Sequence, residues 1–153
     1  MFIGCGHVLR LSVVKDLGGY AEFPGAYGAE EKDFCLRLID AGYGIIRLDG
    51  VHVWHDKASL ARELSKQHRS GVCNDLALAL RRVPVGLVIL VIALKITKHL
   101  VFAIRGGLLR ACLQGIRDFT FAAPDLWHAR RPVRFSSLAQ FYRLSRTPRT
   151  VAR

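Results

Sequence analysis

Between residues 30 and 41 apolar side chains recur at helical spacing: Phe34, Leu38 and Ala41, with Cys35 and Ile39 beside them. The pattern predicts a helix whose first turn holds Glu30, Glu31 and Asp33, where acids interact well with the positive end of the helix dipole. Gly42 is placed to end it. Upstream, the apolar pair at 2–3 leads into Gly4-Cys5-Gly6, where the missing Cβ atoms let a ligand or another backbone come close. Residues 7–10 predict a strand. Ser12 predicts the cap of a short helix over 13–17, and Gly18-Gly19 stops it. Residues 20–27, with several aromatics around Pro24 and Gly25, predict a loop. Downstream, 43–48 and 51–55 predict two strands around an Asp49-Gly50 turn, with Trp54 in the core.

After His55 the character changes. Residues 57–82 are polar and basic and predict a helix. Residues 83–94 are apolar throughout, and then Lys95, Lys98 and His99 interrupt the run. Such a run is shorter than the roughly twenty apolar residues that a spanning helix needs. On a helix, positions 95, 98 and 99 share one face, as do Arg110, Gln114 and Arg117 in the next segment. Two amphipathic helices lying in a membrane interface, with basic groups at headgroup level, are therefore expected. Two core helices of a bundle, or a hairpin dipping into the bilayer, are the alternatives. Pro124 is expected to end this region. A basic, irregular stretch then leads to a last helix, capped by Ser136 or Ser137 and running to Leu144. Four segments result: 1–60, 61–82, 83–123 and 124–153.

Composition changes this picture little, and charge changes it more. The chain has 153 residues, 51% of them hydrophobic, so it is long enough for one domain and does not read as disordered. Residues 1–56 carry five Lys or Arg and eight Asp or Glu; residues 57–153 carry eighteen and four. An acidic first part thus joins a strongly basic second part. Such a partner suits an anionic surface, either phospholipid headgroups or nucleic acid. The basic residues flank apolar runs rather than interleaving with exposed aromatics, which favours lipid and disfavours nucleic acid. Cys5, Cys35, Cys73 and Cys112 form no CxxC pair, which points to packed, reduced thiols. No secretory leader is expected, because Met1 is followed by neither a basic stretch nor a long apolar run.

The chemistry-bearing segment is residues 27–38. It reads Gly28-Ala29-Glu30-Glu31-Lys32-Asp33, then Arg37-Leu38, then Ala41-Gly42-Tyr43, a strand, and His55. This order resembles glycosyltransferase family 2, the inverting GT-A type. The upstream Gly4, Leu9-Arg10, Val14 and Leu17-Gly18-Gly19-Tyr20 also fit that family. The likeness covers roughly residues 2 to 60. Residues 84–145 are more loosely similar to the C-terminal helices of some bacterial members. The resemblance implies an α/β fold class, a partial GT-A-like α/β segment followed by amphipathic helices.

It also implies a reaction and its residues. A sugar moves from a nucleotide-sugar donor to a glycan or lipid-linked acceptor, and a carboxylate takes the acceptor proton as the hydroxyl attacks. Glu31 aligns with the family's base, while Glu30 and Asp33 would hold the acceptor or orient the base. Gly4, Gly6, Arg10 and Arg37 fall where substrate contacts are expected, although Arg37 also sits one turn from Asp33, at ion-pair spacing. His55 falls near the diphosphate or a divalent metal, Mg or Mn, that the complete enzyme would use. The family's donor-binding half carries an Asp-x-Asp, and none occurs in this sequence. The chain is therefore expected to be a C-terminal part, inactive alone, at the cytoplasmic face of a membrane. The competing readings are a non-enzymatic basic module that binds a membrane or nucleic acid, and a remnant without activity.

Overall fold

A computed structural model describes residues 6–48, 50, 52–54, 63–147 and 150–151. Among them the elements run α1 (Leu11–Asp16), α2 (Glu30–Asp40), β1 (Arg47–Leu48), α3 (Leu64–Arg82), α4 (Val85–Arg105), α5 (Leu109–His128), α6 (Phe135–Arg146) and β2 (Thr150–Val151). They form two compact units. The first comprises Met1–Ala21, Glu30–Lys57 and Val133–Arg153; the second comprises Glu22–Ala29 and Ala58–Pro132.

The first unit is built on α1, α2 and α6. Phe34 and Leu38 of α2 pack with Val13 of α1, and Leu9, Val14, Leu17 and Ile45 close around them. Gly18 and Gly19 end α1 with φ of 72° and 69°, a left-handed pair that a side chain would oppose. Gly42 ends α2 at φ 87°, where its amide bonds Ile39 O and the next amide, of Tyr43, bonds Leu38 O. That double bond is a Schellman closure. Near the end of α2, the Asp40 carboxylate accepts from the Arg134 amide at 2.9 Å and from its guanidinium at 3.2 Å. Burial pushes the Asp40 carboxyl up, but the Arg134 amide, the Ser137 hydroxyl and the Arg134 guanidinium together hold it below its ordinary value.

The expected α/β class is corrected here, because the described residues are mostly helical. No strand forms at 7–10, and of 43–48 only Arg47 and Leu48 are in one. These two pair in parallel with Thr150–Val151, not with the segment that follows them. An isolated two-stranded ribbon is marginal in water, so β-forming composition alone does not make a sheet. The predicted hairpin is therefore absent among the described residues; Asp49, Val51 and His55 lie outside them. Trp54, expected in the core, is 94% exposed. Residue alternation predicts burial only where a sheet has one face covered.

The second unit packs α3 against α5 and α4. The middle of α3, from Val72 to Leu80, is buried, so this helix is more of a core element than its polar ends suggest. At the crossing with α5 a Cβ on Gly115 would stand 2.5 Å from Arg69 O and 2.8 Å from Val72 Cβ. The bare backbone of Gly115 therefore allows the approach. Burial pushes the Cys73 thiol up to about 11, and Asp118 adds to that effect; Cys35, Cys73 and Cys112 are all buried. Two expectations about lengths are also corrected. Pro124 lies inside α5, which continues to His128. The segment that begins with the apolar run at 83–94, expected to be too short to span, belongs to the 21-residue helix α4, which by length and composition alone could cross a membrane.

Arg69 closes the α3–α5 crossing by reaching Asp118 with Nε at 2.5 Å and Nη2 at 3.0 Å. The guanidinium bond holds the Asp118 carboxyl below its ordinary 3.8, against the opposing effect of burial. A depressed acid stabilises the fold above its unfolded value and loses that contribution as pH falls through the folded one. Asp118→Asn should therefore lower the urea midpoint near neutral pH, and its deficit should vanish progressively below about pH 4. Midpoints measured across that range check it; a pH-independent deficit would contradict it.

Candidate functional site

Arg37 organises the acidic end of α2. Its Nε donates to Asp33 Oδ2 at 2.7 Å, Nη1 donates to Leu17 O at 2.6 Å and Nη2 to Gly19 O at 2.6 Å. The guanidinium also lies 4.9 Å from the Phe34 ring centre. Asp33 is fully buried, so this pair is an internal clasp that holds the Leu17-Gly19 turn on the first turn of α2. The planar fork of arginine suits this, since it gives three bonds in one geometry. Arg37 is thus committed to the protein, and its substrate contact has no support in this arrangement.

Glu30 and Glu31 differ from Asp33. Both are only half-buried, at the helix N-terminus, and neither carboxylate makes a hydrogen bond among the described residues. The clasped turn places Tyr20 beside them. The Tyr20 ring packs on Phe34 at 5.0 Å, and its hydroxyl lies 2.8 Å from His7 Nε2. Burial raises the Tyr20 phenol above its ordinary value, followed by the negative fields of Glu31, Cys35 and Glu30. The first unit therefore gathers two available carboxylates, a protonated phenol and an imidazole around one turn. Such a set is able to accept a proton from a hydroxyl and to hold a polar acceptor.

Sequence reasoning missed Asn74. It sits in the middle of α3, 1% exposed, and its amide is fully used. Oδ1 accepts from the Gly25 amide at 2.7 Å, while the two hydrogens of Nδ2 are shared among the carbonyls of Gly25, Tyr27 and Gly28 at 2.9, 3.1 and 2.8 Å. A Cβ on Gly25 would stand 2.8 Å from Asn74 Oδ1, so only glycine allows this approach. The same loop ends in Gly28 at φ 90° and Ala29 at φ 86°, immediately before Glu30 in the chain. A left-handed alanine is strained and persists only where its surroundings fix it. The signal was the polar pair Asn74-Asp75 set between the apolar Val72-Cys73 and Leu76-Ala77-Leu78. Asn74→Ala is expected to cost about 1–3 kcal/mol, because it strands buried amide and carbonyl groups. Protease cleavage within residues 24–29 should accelerate in step; unchanged cleavage would show that the loop is held by other means.

The remaining sequence candidates are less gathered. Gly6 lies with a would-be Cβ 3.2 Å from Val53 Cγ2, and Arg10 is exposed at the start of α1. Gly4 and His55 lie outside the described residues. Among the described residues no three His, Cys, Asp or Glu side chains converge in a way that fits a metal ion. No protein-family model, curated protein or solved structure matches this chain.

Proposed function

We propose that the first unit carries the acceptor side of an inverting sugar transfer, as the family 2 glycosyltransferases do, with the donor-binding half supplied by other residues. The observation that supports this most is the division of labour among the acids. Asp33 is spent on the Arg37 clasp, while Glu30 and Glu31, within one turn of backbone, remain half-buried and unbonded among the described residues.

In this reading Glu31 accepts the proton of an acceptor hydroxyl as the oxygen attacks the anomeric carbon, and the bond to the nucleoside diphosphate breaks. Glu30 and the Tyr20 hydroxyl, one an acceptor and one a donor, orient a glycan or lipid-linked acceptor. A divalent metal, Mg or Mn, would assist departure of the diphosphate in the complete enzyme; His55 is the residue of this chain nearest to that role by family likeness.

The test joins this chain to a family 2 donor-binding half and follows release of nucleoside diphosphate from a panel of nucleotide sugars. Release that depends on an added glycan or lipid-linked acceptor supports the reading. A joined protein that binds the nucleotide sugar but shows no acceptor-dependent release would overturn it.

A further inference from the structure

The polarity of α4 is inverted. Two of the basic groups near its centre point inward, while Lys98 is exposed: Lys95 Nζ lies 2.7 Å from Asp75 Oδ1 on α3, and His99 Nε2 lies 3.2 Å from Asp75 Oδ2. Its apolar side chains point outward, with Ile89, Leu90, Leu94, Val101 and Ile104 all exposed. Only 11% of its most apolar window is buried. A helix packed in water turns its apolar stripe to the core and its charges to solvent. The opposite arrangement is the rule in lipid, where ionisable groups face the protein interior and pair there. Even the one exposed hydroxyl on this side, Thr97, is satisfied internally by Ala93 O at 3.1 Å.

Charge decides what covers this face. From Val85 to His128, the span of α4 and α5, the sequence holds five Lys or Arg and two acids, Asp118, which Arg69 bonds, and Asp125. Lys98 and Arg105 stand exposed on α4, and on α5 the exposed Leu109, Leu113 and Trp127 share a side with Arg110 and Arg117. Apolar groups interleaved with basic ones, with the basic groups in excess, match an anionic phospholipid surface. A second copy of this segment would meet it with like charge. We infer that α4 and α5 lie in the plane of an anionic membrane interface, with the outward face of α4 in the acyl boundary and Lys98, Arg105, Arg110 and Arg117 at headgroup depth. Lys95, Lys98 and His99, near the middle of α4, oppose a spanning arrangement, because crossing would carry them to the bilayer centre. This inference does not depend on sugar transfer.

Flotation of the full chain with vesicles of phosphatidylcholine, with or without phosphatidylglycerol, tests it. The chain should float with the anionic vesicles and far less with neutral ones. Lys98→Gln with Arg105→Gln should weaken anionic partition by about 30-fold, the loss of two headgroup attractions. In a second readout, the Trp54→Phe protein, whose other tryptophan is Trp127, should lose fluorescence on vesicles with brominated acyl chains. A folded chain that ignores both vesicle types would overturn the inference. So would retention by DNA in place of vesicles, or self-association abolished by Leu90→Glu without any lipid binding. No readout involves a sugar, so failure here and failure of the transfer reading are separable.

Discussion

Glu31→Gln, in the chain joined to a donor-binding half, is expected to lower turnover about 10²–10⁴-fold, the usual contribution of a general base. Binding of the nucleotide sugar should be unchanged, because the base acts on the acceptor hydroxyl. Glutamine keeps the size and the half-buried setting of Glu31, so the variant should fold with wild-type stability. Glu31→Asp retains a carboxylate with one methylene less reach and should keep much of the rate. Glu30→Gln separates the two acids: as a positioning group it should raise the KM for the acceptor more than it lowers kcat. If Glu31→Gln turns over normally while Glu30→Gln does not, the base is Glu30.

Arg37→Ala should destabilise the first unit by about 3–5 kcal/mol, the cost of breaking a buried ion pair from one side. The estimate follows from the position of Asp33, which is fully buried and loses the guanidinium bonded to it at 2.7 Å. The carbonyls of Leu17 and Gly19 lose their donors as well. Arg37→Lys restores a charge but not the fork, and should recover only part of the loss. Asp33→Asn combined with Arg37→Ala should cost less than the sum of the two single changes, because the partners are coupled. Urea midpoints measure all of these. A loss below about 0.5 kcal/mol for Arg37→Ala would show that the clasp is not structural.

The helices were readable because their signals are local. The apolar spacing at 34, 38 and 39, the acids before it and Gly42 after it all lie within one short window, and α2 forms there. The strands were not readable, since β1 pairs with residues 150–151 near the other end of the chain. No local pattern encodes that partner, and without it the alternation at 51–55 carried no information about Trp54. The setting of the basic groups on α4 was not readable for a related reason. Lys95 and His99 looked like interruptions because Asp75, which receives them, is on another helix. Within the candidate site, the acid triplet and its ion pair with Arg37 stood in the sequence. The split between a bonded Asp33 and two unbonded glutamates did not, because it depends on where Leu17 and Gly19 fall. Asn74 was silent for the same reason: its four bonds end on a loop almost fifty positions upstream.

The buried cysteines also make the chain its own reporter of opening. With the Cys73 thiol pushed up to about 11, very little of it is the reactive thiolate at neutral pH, and burial shields even that fraction. A maleimide would therefore label Cys73 and Cys112 only when the helices of the second unit part, and Cys35 only when α2 leaves the first. Once Cys5 is replaced by serine, one reagent and a peptide map would time the excursions of each unit in the same sample, without any engineered probe.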